Sequence, residues 1–184
     1  IKRESTSVSG SNVAAGKDLT IVAKGGGKDS DVTVTGSRLS AGNNAVIKAE
    51  GDILLQAAKN SFEQHTTNKS SNASIGVGVT AGNNGFGLVV NLAAGGARGY
   101  ADGKDTSWAY TTVTAGNALA LQSGGDTSLI GAVGQAEQII ASVGNNLRIE
   151  TLQDTSTYKS KQESAGINAS ICVYGYCSSS VSAN

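Results

Sequence analysis

His65 is the only histidine of the chain and stands in the polar run FEQHTTNKSS. General-base or metal chemistry at an imidazole needs a nucleophile, a carboxylate or further ligands converging on it. No spacing in the sequence supplies them, so a solvated loop or strand position is expected and neither a catalytic nor a metal role is assigned. The carboxylates are scattered along the chain, some of them in turn-like segments. A carboxylate pair for glycoside hydrolysis would need aromatic and charged residues together in a cleft, and aromatics are 4% and charged residues 15% of the chain. Polysaccharide cleavage therefore ranks last, and no catalytic residue or cofactor is assigned.

The glycine strings GGGKDSD (25–31) and GGDTS (124–128) do not read as phosphate loops. Gly25-Gly26-Gly27-Lys28 lacks the phosphate-loop spacing, and no helix is expected after it. Turns explain both strings. Cys172 and Cys177 enclose Val-Tyr-Gly-Tyr. With Tyr174-Gly175 as a two-residue hairpin loop, Val173 pairs Tyr176 and Cys172 pairs Cys177, close enough for a disulfide. A metal pair is the rival reading, but it has no further ligand nearby. Trp108 and Tyr110 are expected to cover the side of a coil or pack on a hairpin, in preference to forming an exposed sugar-stacking patch.

The elements that carry these residues follow from composition and repetition. The 184 residues include 25 Gly and no Pro, and the apolar content is mostly Ala, Val, Ile and Leu. At average usage about nine prolines are expected. Excluding them suits strands paired on both sides, because proline donates nothing to a sheet ladder. Lys plus Arg and Asp plus Glu both number 14, and no basic cluster with interleaved aromatics marks a nucleic-acid partner. No apolar run approaches the ~18 residues of a membrane-crossing helix. The chain starts Ile1-Lys2-Arg3-Glu4 without an initiator methionine, so it reads as an excised piece whose targeting segments lie elsewhere.

Internal repetition is the strongest signal. SNVAAGKDLTIVAKGGG is matched by TTVTAGNALALQSGGD, with Gly16 over Gly116. SAGNNAVIKAEGDILLQA is matched by SVGNNLRIETLQD, with Gly42 over Gly144. NKSSNASIGVGV is matched by ESAGINASICVY. The chain is thus a single rod fragment holding about one and three-quarter copies of a unit, residues 11–110 and 111–184. A smaller motif, apolar-x-Ala-Gly-x-Asp/Asn-apolar-x-apolar, recurs at Val13–Ile21, Leu39–Ile47, Val113–Leu121 and Ile140–Ile149. In LTIVA, Leu19, Ile21 and Ala23 share a face. One such turn cannot bury that face, but turns stacked at the ~4.8 Å strand spacing can. Residues 60–112 interrupt the motif. Ile75, Val77 and Val79 share one face, as do Phe86, Leu88, Val90 and Leu92, and AGNNG (81–85) between them is a turn signal. Hairpins are expected near 72–93 and 167–184, with about seven residues per strand and the apolar face sealing the rod or meeting a membrane. Against the ~9–11 residues of a transmembrane strand, that length favours sealing.

AGKDLTIVAKG, SRLSAGNNAVIKAEGDILLQAA, TVTAGNALALQSGGDTSLIGA and VGNNLRIETLQDTSTYKSKQ, each block followed by a Gly/Ser-rich hairpin, resemble the haemagglutinin-repeat region of filamentous haemagglutinin and the contact-dependent growth-inhibition exoproteins. The resemblance covers nearly the whole chain. It implies an all-β, right-handed parallel β-helix with hairpin extensions, in a protein exported through an outer-membrane partner transporter and displayed at the cell surface. It also implies a non-enzymatic structural or toxin-delivery segment, with a target-cell outer membrane or surface receptor as partner. The alternative is an adhesin segment that binds a host glycan or receptor.

Overall fold

A computed structural model describes residues 1–82 and 85–184, so Asn83 and Asn84 of the expected AGNNG turn lie outside the described residues. The described chain is all-β with a single 3-10 turn at Gly27–Asp29. The strands run β1 (Lys2–Thr6), β2 (Asn12–Ala15), β3 (Leu19–Ala23), β4 (Val32–Thr35), β5 (Arg38–Ala41), β6 (Ala45–Ala49), β7 (Ile53–Gln56), β8 (Ala58–Gly82) and β9 (Gly85–Ala109). They continue as β10 (Thr111–Ala115), β11 (Ala118–Ser123), β12 (Thr127–Ile130), β13 (Ala132–Gln135), β14 (Gln138–Val143), β15 (Leu147–Glu150), β16 (Thr155–Gly175) and β17 (Ser180–Ala183). Two compact units result. One is Glu4–Phe62 with Lys104–Ser156; the other is Ile1–Arg3, Glu63–Gly103 and Thr157–Asn184.

The first unit holds three parallel four-stranded sheets, ordered β13-β10-β5-β2, β14-β11-β6-β3 and β15-β12-β7-β4. Consecutive short strands enter successive sheets, and, with β8 and β9 set aside in the long sheet, every third one returns to the same sheet. Residues one return apart stack in columns. Ile21, Ile47, Leu121 and Ala141 form one column, and Val32, Ile53, Thr127 and Leu147 another. The period-two pattern of each short strand turns one aliphatic row inward, and the rows of all three sheets meet in one core around Leu39, Ile47, Ile53, Val113 and Leu119. The two middle layers are sealed. Ile139 and Ile149 of the last layer have a stacked neighbour on one side only and remain exposed.

The motif maps onto this geometry with one correction. Val13, Leu39 and Val113 stack in the first sheet, while Ile21, Ile47 and Leu121 stack in the second. The motif therefore spans the corner between the first two sheets, where Gly42 sits so close to Gly16 that a Cβ would lie 2.2 Å from its carbonyl oxygen. The fourth copy, Ile140–Ile149, runs instead from β14 in the second sheet to β15 in the third, one corner later. Gly144 there packs on Gly124 rather than on Gly116. Both corners need a side-chain-free residue before a strand, so the same string serves at either.

The expected hairpin strands of about seven residues are corrected too. β8 and β9 have 25 residues each and β16 has 21. They form a five-stranded sheet in the order β1-β8-β9-β16-β17. Strand signals confined to 74–80 and 86–92 miss the flanking Ser, Thr, Asn and Gly residues. Cross-strand backbone pairing, which side-chain hydropathy does not report, holds those in the ladder.

Candidate functional site

The second unit contains most of the long sheet, and its side-chain contacts give the strand registers. His65 pairs with Asp102, Asn68 lies beside Gly99, Asn72 beside Gly95, and Thr80 beside Gly87. As one number rises the other falls equally, so β8 and β9 are antiparallel. Arg98 with Glu163, Asn91 with Ser170, and Gly103 with Tyr158 set β9 against β16 in the same manner. β17 pairs antiparallel with β16, Asn168 opposite Ser182 and Ala169 opposite Val181.

Directly opposed residues of antiparallel strands share a face. Ile75, Val77 and Val79 therefore stand beside Leu92, Val90 and Leu88, with Phe86 at the distal end. Ile167, Ile171 and Val173 continue the row on β16, and Val181 continues it on β17. This apolar face is open. Ile75, Val77, Val79 and Phe86 are 74%, 70%, 70% and 73% exposed, and Leu88 and Leu92 are also exposed. Val90 is half-buried. This is the row expected either to seal the rod or to meet a membrane. The buried valine of this stretch is Val89, on the opposite face.

Toward the proximal end of the same face the side chains become charged. Lys69, Arg98 and Glu163 form one cross-strand row, followed by Tyr100 and Lys161, then by His65, Asp102 and Lys159. Glu163 accepts from Arg98 at 2.8 Å and from Lys161 at 2.5 Å. The Lys161 ammonium first, then the Arg98 guanidinium, holds the Glu163 carboxyl below its ordinary range, and Glu163 in turn raises Lys161. His65 sits in β8 with Asp102 as a partner that the sequence spacing did not reveal. Among the described residues, no group of three or more His, Cys, Asp or Glu could hold a metal ion.

The opposite face carries no charge from residue 64 to 80, from 85 to 103 or from 158 to 174 in the three long strands. Its alternate residues are mainly Ser, Asn, Gly, Thr and Ala. Cys172 and Cys177 lie at its distal end, joined by a disulfide with Cα atoms 5.5 Å apart. The turn differs from a two-residue loop at Tyr174-Gly175. Ser170 opposes Ser180, and the Tyr176 N–H donates to the Phe86 carbonyl, which holds the chain along β9 past Gly175. Gly87 has no Cβ because one would lie 2.9 Å from that of Cys177.

In the first unit the remaining candidates serve as structure. The Gly25 and Gly27 N–H groups donate to the Glu50 carboxylate, so this glycine-lined anion cradle is filled by the chain's own side chain. Trp108 donates its indole N–H to the Gln153 carbonyl, and Tyr110 its hydroxyl to that of Leu152. A polar ladder was not anticipated. The Asp31 carboxylate accepts the Asp52 N–H, Asp52 that of Asp126, and Asp126 that of Asn146. Its trace in the sequence is Gly-Asp, Gly-Asp and Asn-Asn before β7, β12 and β15.

An all-β repeat protein of stacked parallel sheets, extended by a long antiparallel sheet, is the class these features define. The chain belongs to the hemagglutinin repeat family, which matches residues 2–165. It is 40% identical over 159 residues to a protein named Toxin CdiA from Escherichia coli, covering 84% of this chain and 5% of that protein. It is 40% identical over 160 residues to Deoxyribonuclease CdiA of Dickeya dadantii (strain 3937), covering 87% and 5%. To Deoxyribonuclease CdiA of Yersinia pseudotuberculosis serotype O:3 (strain YPIII) it is 39% identical over 173 residues, covering 92% and 16%. The chain thus spans a small fraction of each of these relatives. No solved structure matches it significantly. Among the described residues, no helix is long and apolar enough to cross a membrane.

Proposed function

We propose that this chain is a non-enzymatic structural and delivery segment of a secreted, surface-displayed exoprotein that carries a toxin to neighbouring cells. Its relatives are named as toxins and nucleases, yet the matched stretch is a repeat covering 5% of most of them. The observation that carries the reading is the occurrence in one chain of three parallel sheets, built by every third short strand, and an exposed one-sided apolar sheet. The first is a right-handed parallel β-helix in this reading, since crossovers between parallel strands of a sheet are right-handed in ≈ 98% of cases. The second is the part that engages the target cell. An outer-membrane partner transporter exports the parent protein.

The test is an in-frame removal of residues 1–184 from the parent exoprotein. Surface display, read by immunoblot of intact cells, is expected to persist, while inhibition of target cells in co-culture is lost. Undiminished inhibition would overturn the delivery role. Lost adhesion with intact inhibition would point to the adhesin reading.

A further inference from the structure

The placement of charge on the long sheet separates two ways of meeting a membrane. A strand that crosses a bilayer presents apolar residues to lipid on one face, and its charges gather at the ends or on the other face. Here Lys69, Arg98, Lys159 and Lys161 all stand on the apolar face, and the far face is uncharged and mainly small and polar, with Tyr158 and Tyr174 exposed on it. One row further along, Glu63 and Lys104 stand on the same face, so Glu63, Asp102 and Glu163 are its carboxylates against five cations, and the proximal region of this face has a cationic excess. An open sheet edge is also not tolerated inside hydrocarbon, where every backbone group must be paired. Among the described residues, β17 and the following Asn184 pair with β16 over Gly166–Ser170, and β16 presents such an edge over its proximal half.

We propose that this face lies in the plane of an anionic lipid leaflet, with Ile75, Val77, Val79, Phe86, Ile171 and Val173 set into the acyl boundary and Lys69, Arg98 and Lys161 on headgroup phosphates. The inference rests on the delivery reading and deepens it. Charge complementarity selects the occupant. Cationic groups adjoin an aliphatic patch on one surface, as in elements that bind in the membrane interface. Tyr100, exposed between Arg98 and Lys161, is an amphipathic side chain suited to the headgroup level. A second copy fits poorly. Packed face to face with strands parallel, cationic row meets cationic row; with strands antiparallel, aliphatic side chains cover charges that lose their water. Phosphates satisfy the cations, and acyl chains satisfy the rest.

The experiment uses the full chain and sedimentation with vesicles of phosphatidylcholine alone or mixed with phosphatidylglycerol, at low and raised salt. Partition is expected to be stronger on the mixed vesicles and to weaken with salt, since each interfacial Lys or Arg adds about fivefold. K69Q/R98Q/K161Q should reduce partition on the mixed vesicles by about tenfold or more, leaving partition on phosphatidylcholine unchanged. I75S/V77S/V79S should weaken both. Each substituted side chain is exposed, and an unchanged melting profile checks the fold. Vesicles preloaded with dye should stay sealed. Equal partition on both compositions, no partition, an unaffected cation variant or dye release would each overturn in-plane seating. Carried into the parent exoprotein, a cation variant that fails on vesicles yet still inhibits target cells sinks this inference alone. Loss of inhibition on removing residues 1–184 would still stand.

Discussion

The two units use similar aliphatic residues to opposite ends. Ile47, in the parallel sheets, is 0% exposed, whereas Val77, in the long antiparallel sheet, is 70% exposed. Both belong to clean period-two strands. The difference lies in what each strand is stacked with. Three short sheets turn their inner rows toward one another and exclude water. The long sheet pairs its backbone laterally and leaves its apolar row with no layer above it. A strand's alternation therefore reports that one face is meant for an apolar environment. The neighbouring elements decide whether the protein itself provides that environment.

The contrast breaks most sharply at the core. Ile47→Ala is expected to cost about 2–5 kcal/mol, through lost transfer energy and a cavity in the column of Ile21, Ile47 and Leu121. Val77→Ala should stay within about 0.5 kcal/mol, as at exposed positions generally. Denaturant unfolding of both variants checks this. A Val77→Ala cost near that of Ile47→Ala would mean that the long sheet's face is covered in solution. Glycines sharpen the same contrast. Gly42→Ala forces a Cβ against the Gly16 carbonyl and should cost about 1–3 kcal/mol. At Gly76 a Cβ meets nothing within 4 Å, so Gly76→Ala should be neutral or stabilise by up to about 1 kcal/mol through the unfolded chain. Equal melting temperatures for the two glycine variants would contradict the close stacking of the corners.

Much of the first unit was legible because its rules are local. Leu19, Ile21 and Ala23 alternate, Gly16 and Gly42 mark a corner, and repetition shows that like stacks on like. Which corner a motif occupies was not legible: SVGNN at 142–146 and SAGNN at 40–44 obey the same steric demand at different corners. The partnership of His65 with Asp102 and the single-sided row of Lys69, Arg98 and Glu163 were hidden for another reason. Each depends on the register between strands tens of residues apart, and a shift of one residue would move every side chain to the other face. The Asp31–Asp52–Asp126 ladder left only the recurrence of acidic or amide residues before strands.

The smallest expected effect belongs to the exposed cluster of Arg98, Lys161 and Glu163. The folded Glu163 carboxyl titrates below its ordinary value because Lys161 and Arg98 favour its anion. Its contribution to stability is therefore fully present above the ordinary glutamate range and is lost as pH falls through the lowered folded value. Lys161 has the opposite sign. Its contribution is present below the ordinary lysine value and is lost as pH rises through its raised folded value. Glu163→Gln should thus flatten the melting-temperature profile slightly at both the acid and the strongly alkaline end, leaving neutral pH almost unchanged because solvent and salt screen the pair. Added salt should shrink the difference between the wild type and the variant. A large loss at neutral pH that resists salt would show that these charges are covered, and would bring this end of the long sheet closer in character to the sealed core.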